Sequence, residues 1–335
     1  PTLLVHGGQD EIIPPEHAAG FSAAFRNLEV HLFADAGHVP FLEEPTRFRK
    51  VLAAFFDRRP LLDKQVLARR FSEAAADYPE HTPLQQSLAA ELAAETRRRV
   101  GPRGTCRRIL EIGCGTGHLT GLLAGAFPGA RILAVDLAPG MIAHCRRRFG
   151  DGAGKTGRIA PGQISPGRLA FRVADAETMR SRDRFDLIAS SATFQWFNHW
   201  ERTLRRLRRL LRPGGWLAFS LFGERTFAAL RALFPPGYAM GQPLPSADRL
   251  RRRLRDAGFS RIEIATFPRV RTYPDTMAFF RALRKIGAGN ALRKQYQQPL
   301  PGGELAALAA RHDRLHASGR GVRITYEVHQ VLARR

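Results

Sequence analysis

The 335-residue sequence predicts an α/β protein built on a seven-stranded, mostly parallel sheet and preceded by a smaller α/β segment. Three observations predict it. A short apolar strand, Ile109-Leu110-Glu111-Ile112, runs into Gly113-Cys114-Gly115-Thr116-Gly117, and His118 to Ala126 then reads as a helix. A second strand, Arg131 to Val135, ends in Asp136, 23 residues past Gly113. Further strands end at Asp175, run from Phe185 to Ser190 and from Trp216 to Leu221, and finish near Val322 to Leu332. Between the fourth and fifth, Arg202 to Arg212 interleaves arginines with Leu204, Leu207, Leu210 and Leu211, the spacing of a helix that covers one side of a sheet.

Glycines 113, 115 and 117 let the chain turn tightly and bring bare backbone against a ligand. The strand before and the helix after supply the context that a lone glycine triplet lacks. In doubly wound folds an acidic residue about 20 positions on binds ribose hydroxyls, which makes Asp136 a candidate. The plain alternative is a glycine turn and a solvated Asp; with both features in register, a nucleotide-type cofactor site is favoured. The spacing also bears on which cofactor. A dinucleotide fingerprint leaves two residues before its third glycine, so that pyrophosphate rests on the helix N-terminus. Here the glycines alternate and Glu111 stands two places ahead of the first, so the dinucleotide pattern is not met.

This E-x-G-x-G-x-G run resembles motif I of the class I S-adenosylmethionine-dependent methyltransferases, a Rossmann-like fold. The resemblance implies that Glu111, Gly113, Gly115, Gly117, Asp136 and Leu137 hold S-adenosylmethionine, an ammonium- and sulfonium-bearing cofactor without phosphate, and that Asp175, ending the third strand, and the following Ala176 face its adenine. Phe185 to Ser190 matches the fourth strand of that family, and Leu211-Arg212-Pro213-Gly214-Gly215 its turn into the fifth.

Composition fits an enzyme of a reducing compartment, with cytoplasmic placement expected. Cys106, Cys114 and Cys145 form no C-x-x-C pair and no disulfide framework. No apolar run approaches membrane-spanning length, and no charged-then-apolar leader opens the chain. The net charge of +23 rests on 48 arginines and five lysines, a ratio that looks like genomic base-composition bias. Residues 1–60 carry six basic and eight acidic side chains, so the excess lies in the remainder. A basic face there would steer an acidic partner, either nucleic acid or an acidic carrier protein; a solvated arginine-rich surface has equal weight.

The charge boundary coincides with a change of pattern. Before it come strand Thr2 to His6, Gly7-Gly8-Gln9-Asp10, a helix from about Pro15 to Phe25, strand Val30 to Phe33, Gly37-His38 and a helix from Pro45 to Phe56. This resembles the C-terminal end of an α/β-hydrolase, with Asp10 as the triad acid and His38 as the base. No G-x-S-x-G elbow occurs in the sequence, and without an activated serine the pair cannot carry out acyl transfer. Residues 1–60 are therefore expected to be an inert hydrolase remnant. The opening at Pro1 rather than Met suggests a fragment or a processed product.

Residues 61–335 form the second expected domain. Val66, Leu67, Phe71, Ala74, Ala75 and Tyr78 recur at helical spacing until Pro79 and Pro83 break the pattern, and Leu84 to Arg99 begins another helix. The run Lys64-Gln65…Phe71…Ala74-Ala75-Ala76-Asp77-Tyr78…His81…Leu84-Gln85 resembles the N-terminal segment of the malonyl-acyl-carrier-protein O-methyltransferases of biotin synthesis. Gln195-Trp196 and Arg281-Ala282-Leu283-Arg284-Lys285-Ile286-Gly287-Ala288 are similar to further blocks of that family. The resemblance implies methylation of the free carboxylate of a malonyl thioester, on carrier protein or coenzyme A. A hydrolase later removes that ester in the pathway, so the order of segments looks like a fusion of two linked activities. Tyr78, Gln195 and Trp196 become candidate pocket residues, with core packing an equal reading for Trp196. Arg281 and Arg284 become candidate carboxylate ligands, since guanidinium matches carboxylate in a bidentate fork. A lid is expected from Leu62 to Gln85, Phe222 to Pro245 and Val270 to Gly303.

Other readings are weaker. Gly150 to Thr156 misses P-loop spacing by one residue and follows a helix, so the run to Gly167 reads as a flexible insertion. The histidines are scattered and give no metal-ligand spacing, so no metal is expected. A nucleic-acid methyltransferase, the runner-up on charge, would carry a proline-containing motif after the fourth strand to accept a flipped base. Ser190-Ser191-Ala192-Thr193-Phe194-Gln195-Trp196 has none. Another small carboxylic acid as substrate stays open, as does a non-catalytic basic interaction protein on a vestigial cofactor fold, against which the intact glycines and Asp136 speak.

Overall fold

A computed structural model describes residues 2–17, 20–21, 24–25, 28–57, 62–101, 106–150, 167–235, 240–289, 300, 303–319 and 321–335. The chain divides into two compact units, Pro1–Pro60 and Leu61–Arg335. In the first, β1 (Thr2–Gly7) and β2 (Leu28–Phe33) pair in parallel, followed by α1 (Pro40–Glu43) and α2 (Pro45–Asp57). Phe33 is fully buried with the Arg47 guanidinium 4.3 Å from its ring centroid. Of the helix expected from Pro15 to Phe25, the described residues show a 3₁₀ turn at Pro15–His17 and then helical Gly20, Phe21 and Ala24, with the Phe25 amide bonded to Phe21 O at 3.1 Å.

The second unit is organised by its sheet. In chain order it contains α3 (Lys64–Ala74), α4 (Tyr78–His81), α5 (Pro83–Val100), β3 (Arg108–Ile112), α6 (His118–Ala126), β4 (Arg131–Asp136) and α7 (Pro139–Phe149). Then follow β5 (Leu169–Val173), β6 (Phe185–Ser191), α8 (Trp200–Leu210), β7 (Leu211–Phe222), α9 (Ala228–Arg231) and α10 (Ala247–Asp256). The unit closes with β8 (Ser260–Tyr273), α11 (Thr276–Lys285), α12 (Glu304–His316), β9 (Ala317–Ser318) and β10 (Gly321–Arg334). Seven strands lie in the order β5-β4-β3-β6-β7-β10-β8, with the two-residue β9 paired outside that path to β10. β5, β4, β3, β6 and β7 are mutually parallel, whereas β10 is antiparallel to both its neighbours. The mostly parallel seven-stranded sheet is thus present, with one reversed strand.

Both faces of the parallel part are covered, so its central strands are apolar on both sides, as parallel sheets require. On one face Leu204 and Leu207 of α8 and Leu250 and Leu254 of α10 bury against Ile188, Phe194 and Phe219. On the other Leu92, Leu119, Leu123 and Ile142 of α5, α6 and α7 pack on Ile109, Ile132 and Leu187. The arginines of α8 sit between its buried leucines and leave the core seam apolar; each fully buried leucine there stabilises the fold by roughly 1.5–3 kcal/mol. This helix runs from Trp200 to Leu210 rather than to Arg212, because Leu211 pairs with Phe185 and already belongs to β7.

Two other local expectations change. Pro79 and Pro83 open α4 and α5 rather than only ending α3, since a first-turn proline loses no helical hydrogen bond. Val270 to Tyr273 belong to β8, pairing with Thr325 to Val322, so that part of the expected lid is sheet. The insertion expected from Gly150 to Gly167 lies, apart from its two end glycines, outside the described residues.

Segment α3 is held to the sheet by polar contacts. Asp63 caps the helix by accepting from the Gln65 and Val66 amides. Lys64 Nζ stands 2.7 Å from Glu177 and 3.5 Å from Asp175, just beyond β5. Glu177 is only 2 % exposed and also accepts from the Asn198 and His199 amides. Removing Lys64 would leave that carboxylate buried without its cation. Lys64→Met should lower unfolding free energy in urea by about 3 kcal/mol, and adding Glu177→Gln should restore part of the loss. Additive losses in the double variant would show that the pair does not couple.

Candidate functional site

The β3–α6 turn is built from backbone. Gly113 and Cys114 donate their amides to Val135 O at 2.8 and 3.1 Å, tying the turn to the end of β4. Gly115 N donates to Asp136 Oδ2 at 2.9 Å, while Ala138 N donates to Oδ1 at 2.8 Å. Gly113 and Gly115 have φ of +67° and +54°, a region that side chains disfavour. A Cβ on Gly113 would lie 2.1 Å from Thr193 Oγ1, so the loop after β6 presses directly against the turn. A Cβ on Gly115 would meet only the Tyr78 ring at 4.0 Å and would project into open space.

That space is a cavity of about 1170 Å³ inside the second unit. Its size exceeds the usual range for one small ligand, about 300–1000 Å³, and admits a cofactor together with an acyl group. Gly113, Gly115, Asp136, Leu137, Asp175 and Ala176 line one part. Tyr78, Gln195, Trp196 and Arg284 also line it, as do residues from all three expected lid segments. Asp175 stands two residues beyond the end of β5 rather than at its last position. Three expected site residues are not on the wall. Gly117 caps the N-terminus of α6 behind the loop. Arg281 is exposed and lies 3.6 Å from Asp275 on the outside of α11.

Glu111, the third, is fully buried beneath the glycine turn, and neither of its carboxyl oxygens has a hydrogen bond of normal geometry. Alternation along β3 turns it away from the face of Leu110 and Ile112 and toward α6, where Thr120 only partly compensates. Burial pushes its carboxyl up to about 8, with the Asp136 charge adding in the same direction. Asp136 faces the cavity and is likewise raised by burial, against the lowering effect of the Ala138, Gly115 and Leu137 amides. Tyr78 is held protonated, first by burial and then by the Asp136 charge.

The aromatic side of the cavity is Phe71, Tyr78 and Trp196, with Phe71 5.6 Å from Trp196 and 6.4 Å from Tyr78 between ring centroids. Gln195 donates Nε2 to Ala192 O at 2.7 Å, which leaves a buried Oε1 acceptor without a partner. Sequence reasoning missed Lys64 as the latch to Asp175 and Glu177, and it missed Arg231, Phe227 and Tyr326 as wall residues. Phe227 adopts a left-handed φ of +60°, held by packing on Phe279 and Tyr326 at 4.9 and 4.8 Å. That bend starts α9 and brings Arg231 to the cavity; no sequence pattern signals it.

The chemistry of these donors fits a purine-ribose cofactor that carries positive charge and no phosphate. Asp136 offers carboxylate oxygens where a pyrophosphate would be repelled, and bare Gly115 backbone allows close approach. Among the described residues no group of three His, Cys, Asp or Glu could hold a metal ion. None of their helices is long and apolar enough to cross a membrane.

In the first unit Asp10 is buried, accepts from the Ile12 and Ile13 amides and lies 3.0 Å from His38 Nδ1. The Ile13 amide, followed by His38, holds its carboxyl below the usual value. The pair therefore has the hydrogen-bond geometry of a triad acid and base, and no serine hydroxyl bonds to His38 among the described residues.

Burial of Glu111 has a consequence for pH. Its unfolded carboxyl titrates near 4.5, whereas the folded one titrates near 8. Between these values the folded protein holds a proton that the unfolded chain has released, so stability falls as pH rises. The contribution is fully present below 4.5 and is lost as pH climbs through about 8. Glu111→Gln should flatten that decline in unfolding free energy between pH 5 and 8. An unchanged slope would mean that Glu111 is not protonated in the fold.

A methyltransferase domain model matches residues 110–219, and an alpha/beta hydrolase fold model matches residues 1–45. The malonyl-[acyl-carrier protein] O-methyltransferase of Anoxybacillus flavithermus is 38% identical over 248 residues, covering 71% of this chain and 85% of that protein. The proteins of that name from Priestia megaterium and Methylococcus capsulatus are 32% and 33% identical, with 96% and 92% of their lengths covered. Among solved structures, the YcgJ protein from Bacillus subtilis aligns with TM-score 0.52 at 11% identity, covering 73% of this chain and 98% of that one, a likeness of fold. The chain belongs to the malonyl-[acyl-carrier protein] O-methyltransferase family, S-adenosylmethionine-dependent enzymes of the class I methyltransferase fold.

Proposed function

We propose that residues 61–335 transfer the methyl group of S-adenosylmethionine to the free carboxylate of a malonyl thioester, with malonyl-carrier protein the preferred form and malonyl-coenzyme A the alternative. The observation that carries this reading is a single cavity with Gly113, Gly115 and Asp136 on one wall and arginines on another. Gly115 and Asp136 would hold the ribose side of the cofactor, with Leu137, Asp175 and Ala176 around its base and Gly113 shaping the turn. Glu111 and Gly117 would act through the loop they support. S-adenosylmethionine supplies an electrophilic methyl group on a sulfonium that departs as a neutral thioether.

The side chains then have few chemical tasks. A malonyl carboxylate ionises well below pH 7, so it arrives as the nucleophile and needs no general base. What remains is to align oxygen, methyl carbon and sulfur and to exclude water, for which effective molarities of roughly 10⁵ M or more are attainable. Phe71, Tyr78 and Trp196 form an apolar cover suited to that exclusion, and the Gln195 Oε1 acceptor is available to a donor on either ligand. The basic excess of residues 61–335 would steer an acidic carrier protein toward the site.

Residues 1–60 form, in this proposal, the C-terminal part of an α/β-hydrolase domain. Its Asp10–His38 pair is preserved in geometry but has no nucleophile within the sequence, so this chain would not cleave esters.

Two measurements test the reading. Labelled methyl should pass to malonyl-carrier protein and malonyl-coenzyme A but not to RNA; methylated RNA with untouched malonyl thioesters would refute it. Asp136→Ala should weaken S-adenosylmethionine binding by calorimetry at least about 100-fold, since one buried charged acceptor is worth several kcal/mol with its ribose hydroxyls. Retained affinity would place the ribose contact elsewhere.

A further inference from the structure

Among the described residues five cationic side chains line the cavity, and four of them are engaged elsewhere or exposed to water. Lys64 serves Asp175 and Glu177. Arg70 has a partner of its own, and Arg284 and Lys285 are exposed. Arg231 differs from all of them. Its Nε is buried without any partner, and its two terminal nitrogens reach only the Glu224 and Met240 carbonyls, each at 3.4 Å. Glu224 thus offers its carbonyl rather than its carboxylate, and among the described residues no acidic group lies within ion-pair distance of Arg231. The neighbouring wall is apolar, with Phe222, Phe227, Phe234 and Met240. Burial also disfavours the guanidinium charge there. A desolvated fork with spare donors and no anion is an arrangement that a carboxylate ligand completes.

We propose that Arg231 receives the substrate's free carboxylate and is the residue that selects carboxyl-bearing acyl thioesters; this rests on the methyl-transfer reading above. The reaction itself predicts how the residue acts. As the carboxylate oxygen bonds to the methyl carbon and the carbon–sulfur bond breaks, the electron pair of that bond stays on sulfur, and the negative and positive charges vanish together. A guanidinium paired with the carboxylate therefore stabilises the reactant at least as much as the transition state. Its contribution is to binding and selection, and it does not accelerate the chemical step. The neutral ester that forms has lost the charge that Arg231 held, which favours its release.

The test compares wild type, Arg231→Gln and Arg231→Lys with malonyl-carrier protein and malonyl-coenzyme A at saturating S-adenosylmethionine. Arg231→Gln should raise KM for the malonyl thioester roughly 10–100-fold, the value of a charge-assisted fork, with kcat within about threefold of wild type. Arg231→Lys keeps the charge without the fork and should fall between; it carries the test if the Gln variant does not fold. Wild type should be inhibited far better by malonyl-coenzyme A than by its methyl ester when malonyl-carrier protein is the substrate, and Arg231→Gln should nearly abolish that preference. A general loss of structure would not produce this selective change. Unchanged KM, or a fall in kcat alone, overturns the assignment while leaving the methyl-transfer reading intact. A wild-type protein inert toward both malonyl thioesters overturns the functional reading and the assignment with it.

Discussion

The amide of Gly115 donated to the Asp136 carboxylate is the contact on which the site's geometry depends. It joins the β3–α6 turn to the tip of β4, beside the bonds from Gly113 and Cys114 to Val135 O. Three positive-φ glycines make the turn narrow enough to reach that carboxylate, and Thr193 packs where a side chain on Gly113 would be. The same carboxylate faces the cavity, so one group both shapes the loop and presents an acceptor to the cofactor. Tyr78 lies above it, and Lys64 fixes the helix leading to Tyr78 by pairing with Asp175 and Glu177. Floor and cover of the cavity are thereby referred to the ends of neighbouring parallel strands, β4 and β5.

Charge explains how the remaining wall is divided. The cofactor end is acidic, and among the described residues there Lys64 is a cation that Asp175 and Glu177 already neutralise. The substrate side is apolar around the Arg231 guanidinium, which among the described residues has no acidic partner. A methyl transfer that annihilates a carboxylate and a sulfonium charge needs that separation more than it needs an acid or a base. The buried Glu111 fits the same logic, because a neutral carboxyl beneath the loop adds no negative charge to the one on Asp136.

The parts legible in the sequence are those where backbone conformation restricts residue type. Positive φ at 113, 115 and 117 demands glycine, and the parallel core demands continuous apolar runs at Ile109, Ile132 and Leu187. The fold class follows from these, as does the place of Asp136 at the end of β4. Helix faces were less legible. Arg281 and Arg284 lie three residues apart, yet only Arg284 reaches the cavity wall, because the packing of α11 rather than its spacing decides exposure. Glu111 reads as a cofactor ligand from its motif, whereas strand alternation turns it toward α6. Arg231 was invisible among 48 arginines, since a left-handed bend at Phe227, set by distant aromatic rings, brings it to the cavity.

Cofactor and carboxylate should meet in one cavity between the glycine turn and the α9 segment. A crystal structure of the protein with S-adenosylhomocysteine and malonyl-coenzyme A tests it most directly. The ribose hydroxyls should lie within hydrogen-bond distance of Asp136 and the malonyl carboxylate should be bidentate on Arg231, in continuous density. A cofactor bound away from Asp136, or an acyl group outside this cavity, would contradict it.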